Sequence, residues 1–160
     1  MQLTEERLSL IKSKLSNFNI TYGDVNGTLG LVIPKEQLLD VCKILRDECG
    51  FDWLVDAVSV DRFTKQNRFE IIYNLRSRVH RDRIFFRAIL ESKNPESPSL
   101  AGIWESANWY EREAYDMMGI KFTNHPDPRR MYMPDEFEYY PLRKDFPLMG
   151  VPDSIPLPNK

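Results

Sequence analysis

The chain has 160 residues, with 22 basic and 24 acidic side chains and a formal net charge of −2. That length suits one domain able to bury a real core, and the balanced charge excludes the concentrated basic face that nucleic-acid binding needs. No apolar run approaches the ~20 residues needed to span a bilayer, and the polar, amphipathic N-terminus MQLTEERLSLIKSKL lacks a signal-peptide apolar region. The expectation is a soluble protein kept in the cytoplasm, which is compatible with a peripheral place on a membrane complex. The two cysteines, Cys42 and Cys49, are too few for a disulfide framework or for the four thiolates of an iron–sulfur cluster.

Thr4 is placed to cap a first helix over about residues 4–17, with Leu8, Ile11, Leu15 and Phe18 as its apolar stripe. Asn26-Gly27 accepts the positive φ angles of a tight turn, so Ile20–Tyr22 and Thr28–Ile33 are predicted to form a hairpin. Pro34 sits where a helix can start, and Leu38, Val41, Cys42 and Leu45 give a second helix ending near Gly50.

Three strands are predicted next. Phe51, Trp53, Val55 and Ala57 alternate with Asp52, Leu54, Asp56 and Val58. Phe69, Ile71, Tyr73 and Leu75 alternate with more polar neighbours, as do Ile84, Phe86, Ala88 and Leu90. Residues 92–99 read as a loop. Helical spacing returns from Leu100 through Ile103, Trp104, Ala107, Tyr110, Ala114 and Met117, as a short helix and then a longer one from about Ala107, with Gly119 as the stop. The order αββαβββα predicts an α+β domain over 1–119, a two-layer sandwich with helices on one face of a mostly antiparallel sheet.

Residues 120–160 hold eight of the eleven prolines and show neither helical nor strand period. Phe122, Tyr132, Phe137, Tyr139, Tyr140 and Phe146 are many aromatics for a solvated segment. Extended backbone with spaced aromatics suits a groove on another protein, and proline lowers the ordering entropy of such docking. This segment is expected to be a partner-wrapping tail.

Glu111, Glu113, Asp116 and His125 are the candidates for acid–base or metal chemistry. On a helix, Glu113 and Asp116 share a face and Arg112 is placed to pair with Asp116, which argues for an ion-pair network rather than proton transfer. His125 belongs to no H-x-x-x-H or H-x-H pair. Arg129-Arg130 and Arg143-Lys144 are matched by nearby acids, so a mixed-charge protein surface suits them better than phosphate. There is no Gly-rich phosphate loop and no nucleophile elbow.

The series Glu111-Arg112-Glu113, Asp116, Gly119-Ile120, His125-Pro126, Arg129-Arg130, Met133-Pro134 and Pro141-Leu142-Arg143-Lys144-Asp145-Phe146 resembles the C-subunit family of NADH–quinone oxidoreductase, respiratory complex I. Trp104 and the lead-in Asn108-Trp109-Tyr110 extend the resemblance into the preceding domain. The resemblance implies a structural and assembly subunit of the peripheral arm, in the quinone-reducing module, on the cytoplasmic side of the membrane. It implies no cofactor on this chain, with FMN, iron–sulfur clusters and quinone on other subunits. The implied partners are the hydrogenase-large-subunit-like subunit and the neighbouring iron–sulfur subunit, with the signature residues as contacts and chemistry on other chains. On that view, changing Arg143 and Asp145 weakens assembly and leaves the domain's own folding intact. The alternatives are a homologous subunit of a membrane-bound hydrogenase or ferredoxin-fed complex, a small metal or acid–base enzyme using Glu113, Asp116 and His125, and an adaptor that binds unrelated acidic or extended partners through its tail.

Overall fold

A computed structural model describes residues 3–151. The elements run α1 (Glu5–Lys14), β1 (Thr21–Val25), β2 (Thr28–Val32), a 3₁₀ turn (Lys35–Gln37), α2 (Leu38–Asp47), β3 (Trp53–Asp61), β4 (Phe69–Arg76), β5 (Arg83–Leu90), β6 (Glu96–Pro98), α3 (Ala107–Met118) and β7 (Lys121–Thr123). Thr4 caps α1 as predicted, its hydroxyl accepting from Arg7 N–H at 3.4 Å, but the helix stops at Lys14, short of residue 17. Pro34 precedes a 3₁₀ turn rather than opening α2 directly. The β1–β2 hairpin turns on Asn26 and Gly27, with φ of 52° and 78°, as its two-residue turn requires.

The main sheet has five strands in the order β1-β2-β5-β4-β3, with all neighbours antiparallel except β2 and β5. α2 carries the chain from the hairpin to the far edge, and β3, β4 and β5 return as a meander until β5 meets β2. The alternation read in β4 and β5 fixes one buried face: Phe69, Ile71, Tyr73 and Leu75 beside Leu90, Ala88, Phe86 and Ile84. Tyr73 and Phe86, directly opposed in the register, stack at 4.5 Å. Buried side chains of all three helices join this face in one core, among them Ile11, Val41, Cys42, Leu45, Ala107 and Met117. Each large apolar side chain so buried stabilises by roughly 1.5–3 kcal/mol. Both cysteines lie inside this core.

Three local features depart from the sequence reading. Val55 is an extra residue between the pairs Leu54–Leu75 and Asp56–Asn74, so the strand changes phase there. Leu54 is therefore buried and Trp53 is 44% exposed, which a simple alternation does not foresee. The bulge is used: Tyr110 donates its hydroxyl to the Val55 carbonyl at 2.7 Å and Ser106 to that of Leu54 at 3.0 Å, seating α3 on β3. The predicted loop 92–99 contains β6, and the tail opens with β7, paired parallel to it through Glu96–Lys121, Ser97–Phe122 and Pro98–Thr123. Ile120 is fully buried, so the domain's packing continues past Gly119. Residues 124–151 contain no helix or strand, as their composition predicts.

Candidate functional site: the junction of α3 and the tail

α3 carries two buried acids where a surface helix would carry none. Glu111 is 1% exposed and Asp116 not at all, while Glu113 faces solvent. Each buried acid has its own set of donors, and together they hold two stretches of chain against the helix.

Glu111 faces the start of the α3 connection. Its carboxyl accepts from Ser99 hydroxyl at 2.6 Å and from Leu100 N–H at 2.7 Å. His125 Nε2 lies 3.7 Å from it, with the imidazole almost wholly covered. Asp127 N–H donates to His125 Nδ1 at 3.0 Å, so Nε2 bears the proton and donates to the Asn108 carbonyl at 3.2 Å. Burial raises the Glu111 carboxyl, and the Ser99 and Leu100 bonds only partly offset it, leaving it at about 7. A cleft of about 280 Å³ opens beside this pair, lined by Glu111, Arg112, Tyr115, Lys121, Phe122, His125 and Pro128.

Asp116 faces the tail. One carboxylate oxygen takes the Arg130 guanidinium at 2.7 Å, and the other accepts three successive N–H groups, from Met131, Tyr132 and Met133, at 3.0, 2.6 and 3.0 Å. Burial opposes its ionisation, yet these four donors outweigh burial and hold the carboxyl below its usual range. The Arg130 cation also lies over the Tyr115 and Tyr140 rings, at 5.9 and 5.4 Å. The expected Arg112–Asp116 pair does not form. Arg112 instead reaches Asp127 at 3.3 Å and donates to the Arg129 and Arg130 carbonyls. An i,i+4 pair on a helix surface is worth only a few tenths of a kcal/mol, and Asp116, pointing inward, finds stronger partners in the tail.

The C-terminus of α3 is closed by the same tail. Gly119 adopts φ 70°, and a Cβ there would meet Arg143 Nη2 at 2.5 Å and the Tyr140 ring at 2.6 Å. Leu142 N–H donates to the Met117 carbonyl at 3.1 Å and Arg143 Nε to that of Met118 at 2.7 Å, satisfying groups a helix end leaves unpaired. The Arg143 guanidinium lies between the Phe69 and Tyr140 rings, 5.1 and 4.4 Å from their centres.

The last clamp reaches the β3–β4 end of the sheet. Arg68 grips Asp61 through two bonds of 2.9 and 2.7 Å and Asp145 through one of 2.8 Å. Lys144 N–H donates to Asp61 at 2.9 Å. Burial pushes the Asp61 carboxyl upward, but the donors from Arg68, Lys144 and Phe63 prevail and bring it to about 2. Phe137, Tyr139 and Phe146 form a small aromatic cluster, with centres 5.5 to 6.4 Å apart, that folds the tail on itself. Pro134 supplies the carbonyl of the turn to Phe137.

Sequence reasoning picked out Glu111, Arg112, Asp116, Gly119, His125, Arg130, Arg143 and Asp145, and expected the tail residues among them to be held on a partner protein. The structure uses them within the chain. Pro126, Arg129, Pro134, Lys144 and Leu142 lie on the outer side, and Pro141 and Phe146 are partly covered. Asp61, Arg68, Ser99 and Phe69 were missed, because nothing local marks a polar strand link as a tail-binding site. Glu113, Asp116 and His125 do not converge, and among the described residues no group of three His, Cys, Asp or Glu side chains could hold a metal ion.

The fold and this junction define a class: a small α+β domain whose tail is locked to its last helix by buried charge. The profile of the family described as respiratory-chain NADH dehydrogenase, 30 Kd subunit, matches residues 31–152, and the chain belongs to that family. The NADH-quinone oxidoreductase C subunit of Geotalea uraniireducens is 38% identical over 146 residues, 91% of this chain and 88% of the relative. The C 2 subunit of the same enzyme from Rhizobium meliloti is 41% identical over 135 residues, 83% of this chain and 74% of the relative. Among solved structures, a trypsin-resistant fragment (1-134) of Nqo5 has a TM-score of 0.68 at 30% identity, covering 76% of this chain and 98% of that one. A chain of an archaeal membrane-bound sulfane sulfur reductase shares the fold, with a TM-score of 0.74 at 21% identity over 91% of this chain and 88% of that one. The family is one of subunits of an oxidoreductase complex, so other subunits are its partners. Among the described residues no helix is long and apolar enough to cross a membrane.

Proposed function

We propose that the chain is a cofactor-free structural subunit of the peripheral arm of an NADH–quinone oxidoreductase. It docks on the hydrogenase-large-subunit-like subunit, with the iron–sulfur subunit nearby, on the cytoplasmic face of the membrane. The observation that carries this reading is the division of labour in the tail. Arg130 and Arg143 turn inward onto Asp116 and the Met118 carbonyl, and Asp145 onto Arg68, while Tyr132, Leu142, Leu148 and Met149 of the tail, with Trp109 of α3, are left 56% exposed or more. Aromatic and aliphatic anchors on a rigid backbone are the groups that carry interface energy, and a tail already ordered by its own domain avoids most of the ordering cost of docking.

The geometry also revises how this reading is tested. Arg143 and Asp145 belong to the chain's own fold, so changing them disturbs folding and assembly together. Tyr132→Ala with Leu142→Ser removes only outward groups. The isolated chain should melt within about 2 °C of wild type, while the amount of assembled complex in native membranes falls severalfold. Wild-type assembly and wild-type NADH–quinone reductase activity in that variant would sink the proposal.

A further inference from the structure

The end of the sheet opposite the tail carries a second concentration of charge that the fold does not neutralise. Between β4 and β5 the chain reads Arg76-Ser77-Arg78-Val79-His80-Arg81-Asp82-Arg83. Asp82 turns inward to Arg7 at 2.8 Å, and Arg78 takes Asp52 at 2.6 Å. Arg76, Arg81 and Arg83 are exposed and have no ion pair or side-chain hydrogen bond among the described residues. Arg76 and Arg83 are directly opposed across neighbouring strands, and Arg76 is opposed to Trp53 on its other side. One row of the open sheet face is thus Trp53-Arg76-Arg83, with Val79, 81% exposed, on the turn beyond it. Like charges directly opposite destabilise a sheet. On the same face, at the other end, Arg62 and Arg87 both meet Glu70, at 3.0 and 3.5 Å. No such acid is supplied here among the described residues; Asp56, opposite Asn74 two pairs along from Arg76, makes no ion pair with it.

Resting on the reading of the chain as part of a larger complex, we propose that the β4–β5 end is a second docking surface. Its occupant is an acidic face of another subunit of the complex, presenting at least two carboxylates to Arg76 and Arg83. Guanidinium forks suit carboxylates, and arginine beside an exposed tryptophan is the pairing that dominates protein interfaces. An anionic lipid surface is the poorer match, because such recognition uses clusters of about four to eight free cations and this end of the sheet offers three without an ion pair, Arg76, Arg81 and Arg83. The chain therefore joins its complex from two ends: the tail junction at the β3–β4 end, and a basic row at the β4–β5 end.

The test is a substitution whose two effects have opposite sign. Arg76→Glu creates an ion pair with Arg83 across the strands, so the isolated full chain should melt at the wild-type temperature or above. The same variant should reduce assembled complex in native membranes at least fivefold, and Arg76→Lys with Arg83→Lys should retain most of it. Independently of folding, a photo-crosslinker at Val79 in the assembled complex should join this chain to an acidic segment of another subunit. Wild-type complex content in Arg76→Glu membranes, or crosslinks to lipid alone, overturn the inference. If Arg76→Glu assembles normally while Tyr132→Ala with Leu142→Ser does not, this inference fails and the assembly role stands; if both assemble normally, both fail.

Discussion

Replacing Asp116 with alanine should detach the first half of the tail without unfolding the sheet. The carboxylate is fully buried and holds Arg130, at 2.7 Å, and the N–H groups of Met131, Tyr132 and Met133. Breaking a buried ion pair by removing one partner costs roughly 3–5 kcal/mol, and each N–H left unpaired adds about 1–3 kcal/mol. These penalties are not all realised, because the tail can swing out and find water. The cost is capped at the free energy that holds residues 129–139 in place. An effect of about 3–5 kcal/mol raises the open population by roughly one hundred- to a few thousandfold. Limited trypsin digestion reads this directly, since Arg129 and Arg130 flank the clamp. Cleavage after them should accelerate by that order, and amide exchange at Met131–Met133 should speed up alongside. Exchange in β4 and β5 should stay near wild type, because Leu142, Arg143 and Asp145 still tie down the second half. Unchanged cleavage at Arg129 and Arg130 would refute the clamp; equal acceleration throughout the sheet would refute its local character.

Three further outcomes follow from the same geometry. Glu111 has its carboxyl raised from 4.5 to about 7 by burial, so its contribution is fully present below about pH 4.5 and is lost as pH rises through 7. That loss is roughly 3 kcal/mol; denaturant melts from pH 5 to 8.5 should show it, and Glu111→Gln, which keeps acceptors and donors for Leu100 and Ser99, should flatten the slope. Asp61 is lowered to about 2, so its contribution is present above about pH 4 and is lost as pH falls through 2. Arg68→Ala should destabilise by about 3–5 kcal/mol at pH 7 and shift acid unfolding to higher pH, measured by circular dichroism. Gly119→Ala combines a strained φ with a Cβ 2.5 Å from Arg143; a loss of at least ~2 kcal/mol in chemical denaturation is expected, and a neutral result would contradict the close approach.

The sequence by itself determined what is local. The hairpin followed from Asn26-Gly27, the end of α3 from Gly119, and the inward faces of β4 and β5 from strict alternation, because φ preference and side-chain period act over a few residues. The rare grouping of Glu111, Arg112, Glu113, Asp116 and His125 was also legible as a site. Which charge meets which was not. Asp116 has Arg112 four residues away yet pairs with Arg130, 14 residues on, and Arg143, read as reaching for a neighbour, seals the helix of its own domain. The Val55 bulge and the three-residue β6–β7 pair are likewise too short to leave a period. Tertiary structure decided these because the strength of an ion pair depends on burial and alignment, and only the assembled fold sets both.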